Sequence, residues 1–357
     1  MQQKFISSVW EFDNEDKHSI HEAIRWYGKL PQKLVRELIP LYSKPNDTIM
    51  ANFAGSGTVI VEANIARRNA IGTDIHPLSI LTNKVKFNRY VPNGIDEFLS
   101  DLEKSEFSTN PKLFHNQDKW FDSKTLTCLN GILSNISKIN NSKKRDFYLF
   151  ALSHIVRDVS RVDSRCINHI IVDKNKKPKN VLDEFSKSVY NLKQIIQDFR
   201  DITTDSSVHI NKRDARDLKM DEEKVDFMIS HPPYADAVLY YNIYSLTTNL
   251  LGYNYDTIRQ NDMSAGNFNG YLENMKRVLQ QSYKVLKTGG YEALIVGDTR
   301  KNGDIQTSLP YLIRTGTEMG FRLEDIFIWK LKHKAGMSIA RRGNHIDHNY
   351  ILIFQKK

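Results

Sequence analysis

An α/β sheet carrying a helical insertion is the fold class that this 357-residue sequence predicts. Three observations lead to it. Residues 48–74 read as strand, glycine loop, helix and strand; residues 92–205 change to helical segments; and from 206 onward apolar strand runs alternate with helices again. Alternating strands and helices specify a helix-covered sheet, and one sheet with an insertion explains the order better than two unrelated domains joined end to end. The expected organisation is therefore 1–91 as the first part of the sheet domain, 92–205 as the insertion and 206–357 as the second part.

Taken in order, QKLVRELIPLY reads as a helix, SKPNDT as a turn and Thr48 to Met50 as a short apolar strand. TVIVEANIARR has helical periodicity, and AIGTD is a second strand ending in an acid. SNISKI, KRDFYLFALSHIVRDVSRV and EFSKSVYNLKQIIQDF supply the insertion's helices, separated by the polar stretch DKNKKPKN. VDFMIS is the next strand, and NGYLENMKRVLQQSYKVL is a long amphipathic helix stopped by KTGG. YEALIVGD follows as a strand, while FRLEDIFIWKLK and YILIFQ form the antiparallel closing edge of the sheet.

Composition narrows the classes. With 40% hydrophobic and 26% charged residues the chain is that of a soluble globular protein, and its net charge of +9 favours an anionic partner. The opening MQQKFISSVWEF lacks the basic and apolar regions of a signal peptide, and no apolar run approaches the roughly 20 residues of a membrane helix, so a cytoplasmic location without membrane association is expected. Cys128 and Cys166, the two cysteines, stand in no metal-ligand spacing; reduced thiols and no metal are the expectation.

The chemistry-bearing residues fall at predicted strand ends. In FAGSG (Phe53, Ala54, Gly55, Ser56, Gly57, followed by Thr58), the glycines allow a tight turn and close approach to a ligand. Asp74, followed by Ile75, stands about 20 residues on, where an acid meets ribose hydroxyls in nucleotide-binding sheets. No Gly-Lys-Ser/Thr follows, which excludes a phosphate loop. Asp214, before Ala215 in RDARDL, is either an acceptor for an adenine amino group or a solvated loop acid. After VDFMI come Ser230, His231, Pro232, Pro233 and Tyr234. The two prolines remove N–H donors and bias the chain toward extension, leaving carbonyl acceptors beside a flat ring at a strand end.

FAGSG with GTDIHP, DARDL, SHPPY and GDTR, in that order, resemble the motifs of the S-adenosylmethionine-dependent amino methyltransferases of DNA, which act on N4 of cytosine or N6 of adenine. The resemblance covers about residues 20–90 and 208–355. It implies a Rossmann-like methyltransferase sheet, S-adenosylmethionine as cofactor held by the glycine loop, Asp74, Ile75, Asp214 and Ala215, and double-stranded DNA as partner. The flanking IRWYGKLPQKLVRELI, with Tyr27 and Pro31, looks like the motif that closes over the cofactor's methionine part. His231-Pro232-Pro233-Tyr234 corresponds to the segment that holds the target base. There the backbone carbonyl before Pro232 and a nearby side chain accept hydrogen bonds from the amine, while Tyr234 stacks on a base flipped from the duplex.

The chain departs from the family pattern in two places. Ala51-Asn52 replaces the Asp-Pro before Phe53, leaving the methionine ammonium to backbone carbonyls or another acid such as Glu62, and His231 stands where an acid or amide is usual. Ser230 before HPPY leans toward cytosine. A restriction endonuclease as a separate partner also follows from the resemblance, while oligomeric state does not. For DNA contact the basic residues are Lys143, Lys144, Arg145, Arg157, Arg161 and Arg165 in the insertion, and Lys330, Lys332, Lys334, Arg341 and Arg342 near the C-terminus. Each is either a phosphate contact or part of a solvated surface. The competing functions are an RNA or protein amino methyltransferase and a noncatalytic nucleic-acid-binding module.

Overall fold

Strands buried on both faces carry continuous apolar runs, whereas half-exposed strands alternate. VDFMIS and the ALIVG run of residues 293–297 are of the first kind and lie at the centre of the molecule. The computed structural model describes residues 8–12, 18–107, 113–163, 172–235, 239–264, 266–301, 304–331 and 348–357. Its strands are β1 (Ser8–Glu11), β2 (Thr48–Ala51), β3 (Asn69–Asp74), β4 (Val208–Lys212), β5 (Val225–Ser230), β6 (Leu286–Gly297), β7 (Thr299–Lys301), β8 (Asp304–Gln306), β9 (Phe321–Lys330) and β10 (His348–Lys356). Eight of them form one sheet in the order β1-β9-β10-β6-β5-β2-β3-β4, and β7 pairs with β8 in a small hairpin. Neighbours from β4 through β6 are parallel, and β10 runs antiparallel to both β6 and β9. This is a Rossmann-like sheet.

Alternation along β5 sorts its side chains to two cores. Phe227 and Ile229 pack with the helices Gln32–Tyr42 and Thr58–Ile65, whereas Met228 faces the side of Phe268–Val285 and Leu309–Glu318. Helix Gln32–Tyr42 buries Leu34, Val35, Leu38 and Ile39, the stripe expected of its sequence. A third core joins the helices Ser123–Ser137, Ser142–Ile155 and Val181–Ile202 through Ile132, Phe150 and Phe199, and reaches Leu78 and Leu81 of the helix Pro77–Asn88. Asn180, the last residue of DKNKKPKN, caps the longest of these helices by accepting from the amides of Leu182 and Asp183.

Two expectations are corrected. KTGG does not stop the long helix with a turn: the helix ends at Val285 and β6 begins at Leu286, so the glycines lie inside a strand whose pairing with β5 shifts register there. The antiparallel pair β9 and β10 is not the sheet's edge, because β1 adds to β9 in parallel and Trp10 stacks on Phe327 with centroids 4.6 Å apart. The sequence reading assigned no element to SVWE, which forms this strand. Among the described residues no helix is long and apolar enough to cross a membrane, and no group of His, Cys, Asp or Glu is arranged to hold a metal ion.

Sheet order reverses at β2: β3 and β4 extend to one side, β5 and β6 to the other. Connections leave the carboxyl ends of β2 and β5 in opposite directions and open a crevice there. The site is built in that crevice.

Candidate active site

The glycine loop turns from the end of β2 into the helix Thr58–Ile65, with Gly55 at φ 49° and Gly57 at φ 88°. Protein groups hold it on several sides. The Gly55 amide donates to Asp74 Oδ2 (2.8 Å), and the Gly55 carbonyl accepts from Ser79 Oγ (2.7 Å) and Asn83 Nδ2 (3.1 Å). The Ser56 carbonyl accepts from Lys86 Nζ at 2.8 Å; Lys86 is fully buried, and burial pushes its ammonium down to about 7. Gly57 does not line the cleft. A Cβ there would stand 1.9 Å from Asn83 Oδ1, so glycine is needed for φ and for packing on the helix Pro77–Asn88, not for the close cofactor approach that the sequence suggested.

Asp74 ends β3 at the same level. Its Oδ1 accepts from the His76 amide (2.8 Å), and burial raises its carboxyl while the amides of His76 and Gly55 oppose the rise. Asp74 lines the cleft, and a carboxylate there suits ribose hydroxyl donors. His76 is buried, both its ring nitrogens lack a partner, and burial, with Lys212 adding, depresses it to about 3. It therefore sits as a neutral imidazole edge-on to Trp26 and Tyr244, which stack on each other at 4.6 Å.

On the other rim, β5 ends at Ser230. Ser230 Oγ lies 2.8 Å from the Asn52 side-chain amide and 2.7 Å from Glu292 Oε1, wholly buried, so Ser230 supports the site from beneath instead of touching a base. His231 and Pro233 line the cleft; Pro232 is buried behind it. Burial lowers His231 to about 4, and its Nε2 is 3.0 Å from the Tyr234 hydroxyl. Tyr234 is not a cleft wall: its ring meets His231 at 77° and packs against Gly297, where a Cβ would come within 2.6 Å.

Between the rims lies an open cleft. Phe53, Ala54, Gly55, Ser56, Thr58, Asp74, Ile75, Asp214, Ala215, His231 and Pro233 all line it. Tyr27 and Pro31 do not. The lining residues of that segment are Trp26, Gly28, Lys29 and Leu30, while the Tyr27 amide donates to Tyr244 Oη (2.7 Å) and Pro31 caps the helix Gln32–Tyr42. Asp214 is not an open acceptor: burial opposes its ionisation, but the Arg216 guanidinium, 2.6 Å away, and the Arg216 amide hold it below its ordinary value. Glu62 is unavailable to a ligand, being bound by His21 (2.6 Å) and Arg36 (2.7 Å) under the sheet-side helix.

The sequence reading did not select Trp26, His76 or Asp262, and it favoured core packing over a pocket role for Tyr240 and Tyr241; all five line the cleft. His76 was legible only as a neighbour of Asp74, and the tyrosines only as an aromatic-rich stretch. Lys143 is exposed and Lys144 and Arg145 half-buried on the helix Ser142–Ile155, while Arg165, Lys332, Lys334, Arg341, Arg342 and Cys166 lie outside the described residues. Cys128 is a half-buried free thiol that burial pushes up.

The model of a family described as DNA methylase matches residues 1–82 and 225–357, which carry both the glycine loop with Asp74 and the SHPPY segment. The Type II methyltransferase M.MvaI of Kocuria varians is 28% identical over 241 residues, 61% of this chain and 51% of that protein. M.MjaII of Methanocaldococcus jannaschii, another Type II methyltransferase, is 30% identical over 100 residues, 28% of this chain and 19% of that protein. The chain thus spans about half of the first relative's length and about a fifth of the second's. Among solved structures, TrmN from Thermus thermophilus is similar at TM-score 0.38 and 13% identity, over 93% of this chain and 50% of that one.

Proposed function

The chain belongs to the DNA methylase family, and from that premise we propose that it is a site-specific DNA methyltransferase acting on an exocyclic base amine. The cofactor is S-adenosylmethionine. The observation that carries the reading is the meeting of two motifs: the glycine loop with Asp74, and SHPPY, form opposite rims of one cleft at the carboxyl ends of the adjacent strands β2 and β5.

The residues fit the cofactor. Asp74 offers lone pairs to ribose hydroxyls, Ile75 and Phe53 offer apolar surface to an adenine ring, and the buried Asn52 Nδ2 has no protein partner. When bound, S-adenosylmethionine supplies an electrophilic methyl group on a positive sulfur. The remaining work belongs to the chain. The glycine loop, fixed by Ser79, Asn83 and Lys86, orients the donor, and the aromatic wall of Trp26, Tyr240 and Tyr244 excludes water. A base amine is weakly nucleophilic because its lone pair is delocalised into the ring. Acceptors on its N–H groups favour the pyramidal geometry of attack, and the carbonyl before Pro232 is one.

His231 is the second acceptor only in one tautomer. If Nε2–H donates to Tyr234, Nδ1 is free to accept; if the tyrosine donates to Nε2, Nδ1 carries the proton. Tyr234 reaches a stacking position by rotating off His231 as the flipped base enters. Ser230 before HPPY favours N4 of cytosine over N6 of adenine. The insertion 92–205 is the target-recognition part, Lys143 among its phosphate contacts, with 1–91 and 206–357 forming the catalytic domain. Double-stranded DNA is the partner, a separate restriction endonuclease accompanies the enzyme, and the reaction is cytoplasmic.

The test offers labelled S-adenosylmethionine with DNA, RNA and protein separately, then identifies the product by nucleoside mass spectrometry. Methylated cytosine or adenine in DNA alone is the expected result. Label only in RNA or protein would replace DNA as the substrate.

A further inference from the structure

Beneath the cleft, three elements and the loop after β2 place a chain of buried polar groups. Glu292 of β6 is fully buried; its Oε1 lies 2.7 Å from Ser230 Oγ of β5 and 3.0 Å from Ser282 Oγ of the helix Phe268–Val285. Ser230 Oγ in turn lies 2.8 Å from the amide of Asn52, which is 1% exposed and lines the cleft. The two ends are unsatisfied: Glu292 Oε2 and Asn52 Nδ2 are buried without a partner. A buried polar group without a partner is costly, so a donor held at a cleft wall is suited to a ligand acceptor.

We propose that Glu292 is a positioning residue which, through Ser230, fixes the Asn52 amide with its NH₂ toward the cleft, as the donor for the carboxylate of the cofactor's methionine part. The proposal rests on the S-adenosylmethionine reading above.

Proton counting gives the mechanism. The Ser230 hydroxyl has one hydrogen and must serve two neighbours. With Glu292 neutral, its O–H donates to Ser230 Oγ, Ser230 donates to Asn52 Oδ1, and the Asn52 NH₂ is left for the ligand. With Glu292 ionised, both oxygens are acceptors only; Ser230 donates to the carboxylate and must accept from Asn52. The amide then turns over and presents its oxygen, which repels a ligand carboxylate. Amide nitrogen and oxygen have nearly the same outline, so the turn needs no repacking. The groups facing the Glu292 carboxyl are the Ser230 and Ser282 hydroxyls, with Met228 Sδ 3.2 Å beyond Ser282 and Asn52 beyond Ser230. None carries charge. Burial without a cation pushes the acid up to about 7, the two hydroxyls opposing, so the donor arrangement holds below that value and is lost above it.

The test is calorimetric titration of S-adenosylmethionine into the full chain at about pH 6 and about pH 8.5, for wild type, Glu292→Gln and Ser230→Ala, with thermal unfolding as the fold check. Glutamine keeps the donor of the neutral acid at all pH. The cofactor's own α-amino group titrates in the same range, and comparing variants at each pH removes its effect. Relative to Glu292→Gln, wild type should lose roughly tenfold affinity on going to the higher pH, about the loss of one hydrogen bond to a charged acceptor. Ser230→Ala should bind more weakly at both pH values and lack this extra slope. Decarboxylated S-adenosylmethionine should show no difference in slope between wild type and Glu292→Gln. Equal slopes for wild type and Glu292→Gln with the intact cofactor, in folded proteins, would overturn the relay while leaving the methyltransferase reading standing. No binding by any folded variant at either pH would overturn that reading itself.

Discussion

The two rims of the cleft are built in different ways. On the glycine-loop rim the protein satisfies its own backbone: the Gly55 amide and the carbonyls of Gly55 and Ser56 all have side-chain partners drawn from Asp74 and the helix Pro77–Asn88. On the SHPPY rim, definition comes from the strand, from the His231–Tyr234 hydrogen bond and from the buried hydroxyls below. The first rim is thus preorganised by local packing. On the function proposed here, a cofactor common to every reaction cycle suits that fixed cradle, and a base drawn from a duplex would meet the rim at the end of β5.

The largest effect should come from breaking the fixed rim. Gly57→Val places a branched side chain at positive φ and against Asn83 Oδ1, which should cost at least about 2 kcal/mol of stability and abolish measurable cofactor binding. Thermal unfolding and calorimetric titration read the two losses, and normal affinity in a stable protein would show that the loop tolerates the change. Next comes acid. His76 on one rim and His231 on the other are depressed from 6.5 to about 3 and about 4 by burial, so the unfolded chain binds more protons than the folded one below 6.5. Their stabilisation is complete above pH 6.5 and lost as pH falls toward those values, a decline on the order of a few kcal/mol that His76→Gln and His231→Gln should each reduce in denaturant titrations at several pH values. A decline unaltered by either substitution would assign it to other groups.

Tyr234→Ala sharpens the contrast between rims. It should slow single-turnover methylation by about 1–3 kcal/mol in barrier and leave cofactor affinity nearly unchanged; equal losses in both would place Tyr234 on the cofactor side. The smallest effect is expected far from either rim. Lys143→Ala should weaken DNA binding by less than about 1 kcal/mol and reduce the slope of log affinity against log salt by about one, without altering sequence preference. An unchanged slope would make Lys143 a solvated surface charge.

The sequence by itself determined the sheet's central units and the ingredients of both rims. β2, the glycine loop and β3 are contiguous, β5 ends directly in SHPPY, and apolar runs mark these strands because burial on one or two faces demands them. Only the tertiary structure decided how those ingredients were used. Whether Gly57 meets a ligand or Asn83, whether Asp214 is free or bound to Arg216, and whether Glu62 faces the cleft or His21 and Arg36 depend on which elements pack together. The same holds for β1, a four-residue strand with no periodic signal, and for Glu292, which reads in YEALIV as one acid in an apolar strand. Its partners, Ser230, 62 residues earlier, and Ser282, ten earlier, come from different elements that meet only in the folded sheet. Local sequence carries backbone preference and burial, but the partner of a buried polar group is set by long-range packing.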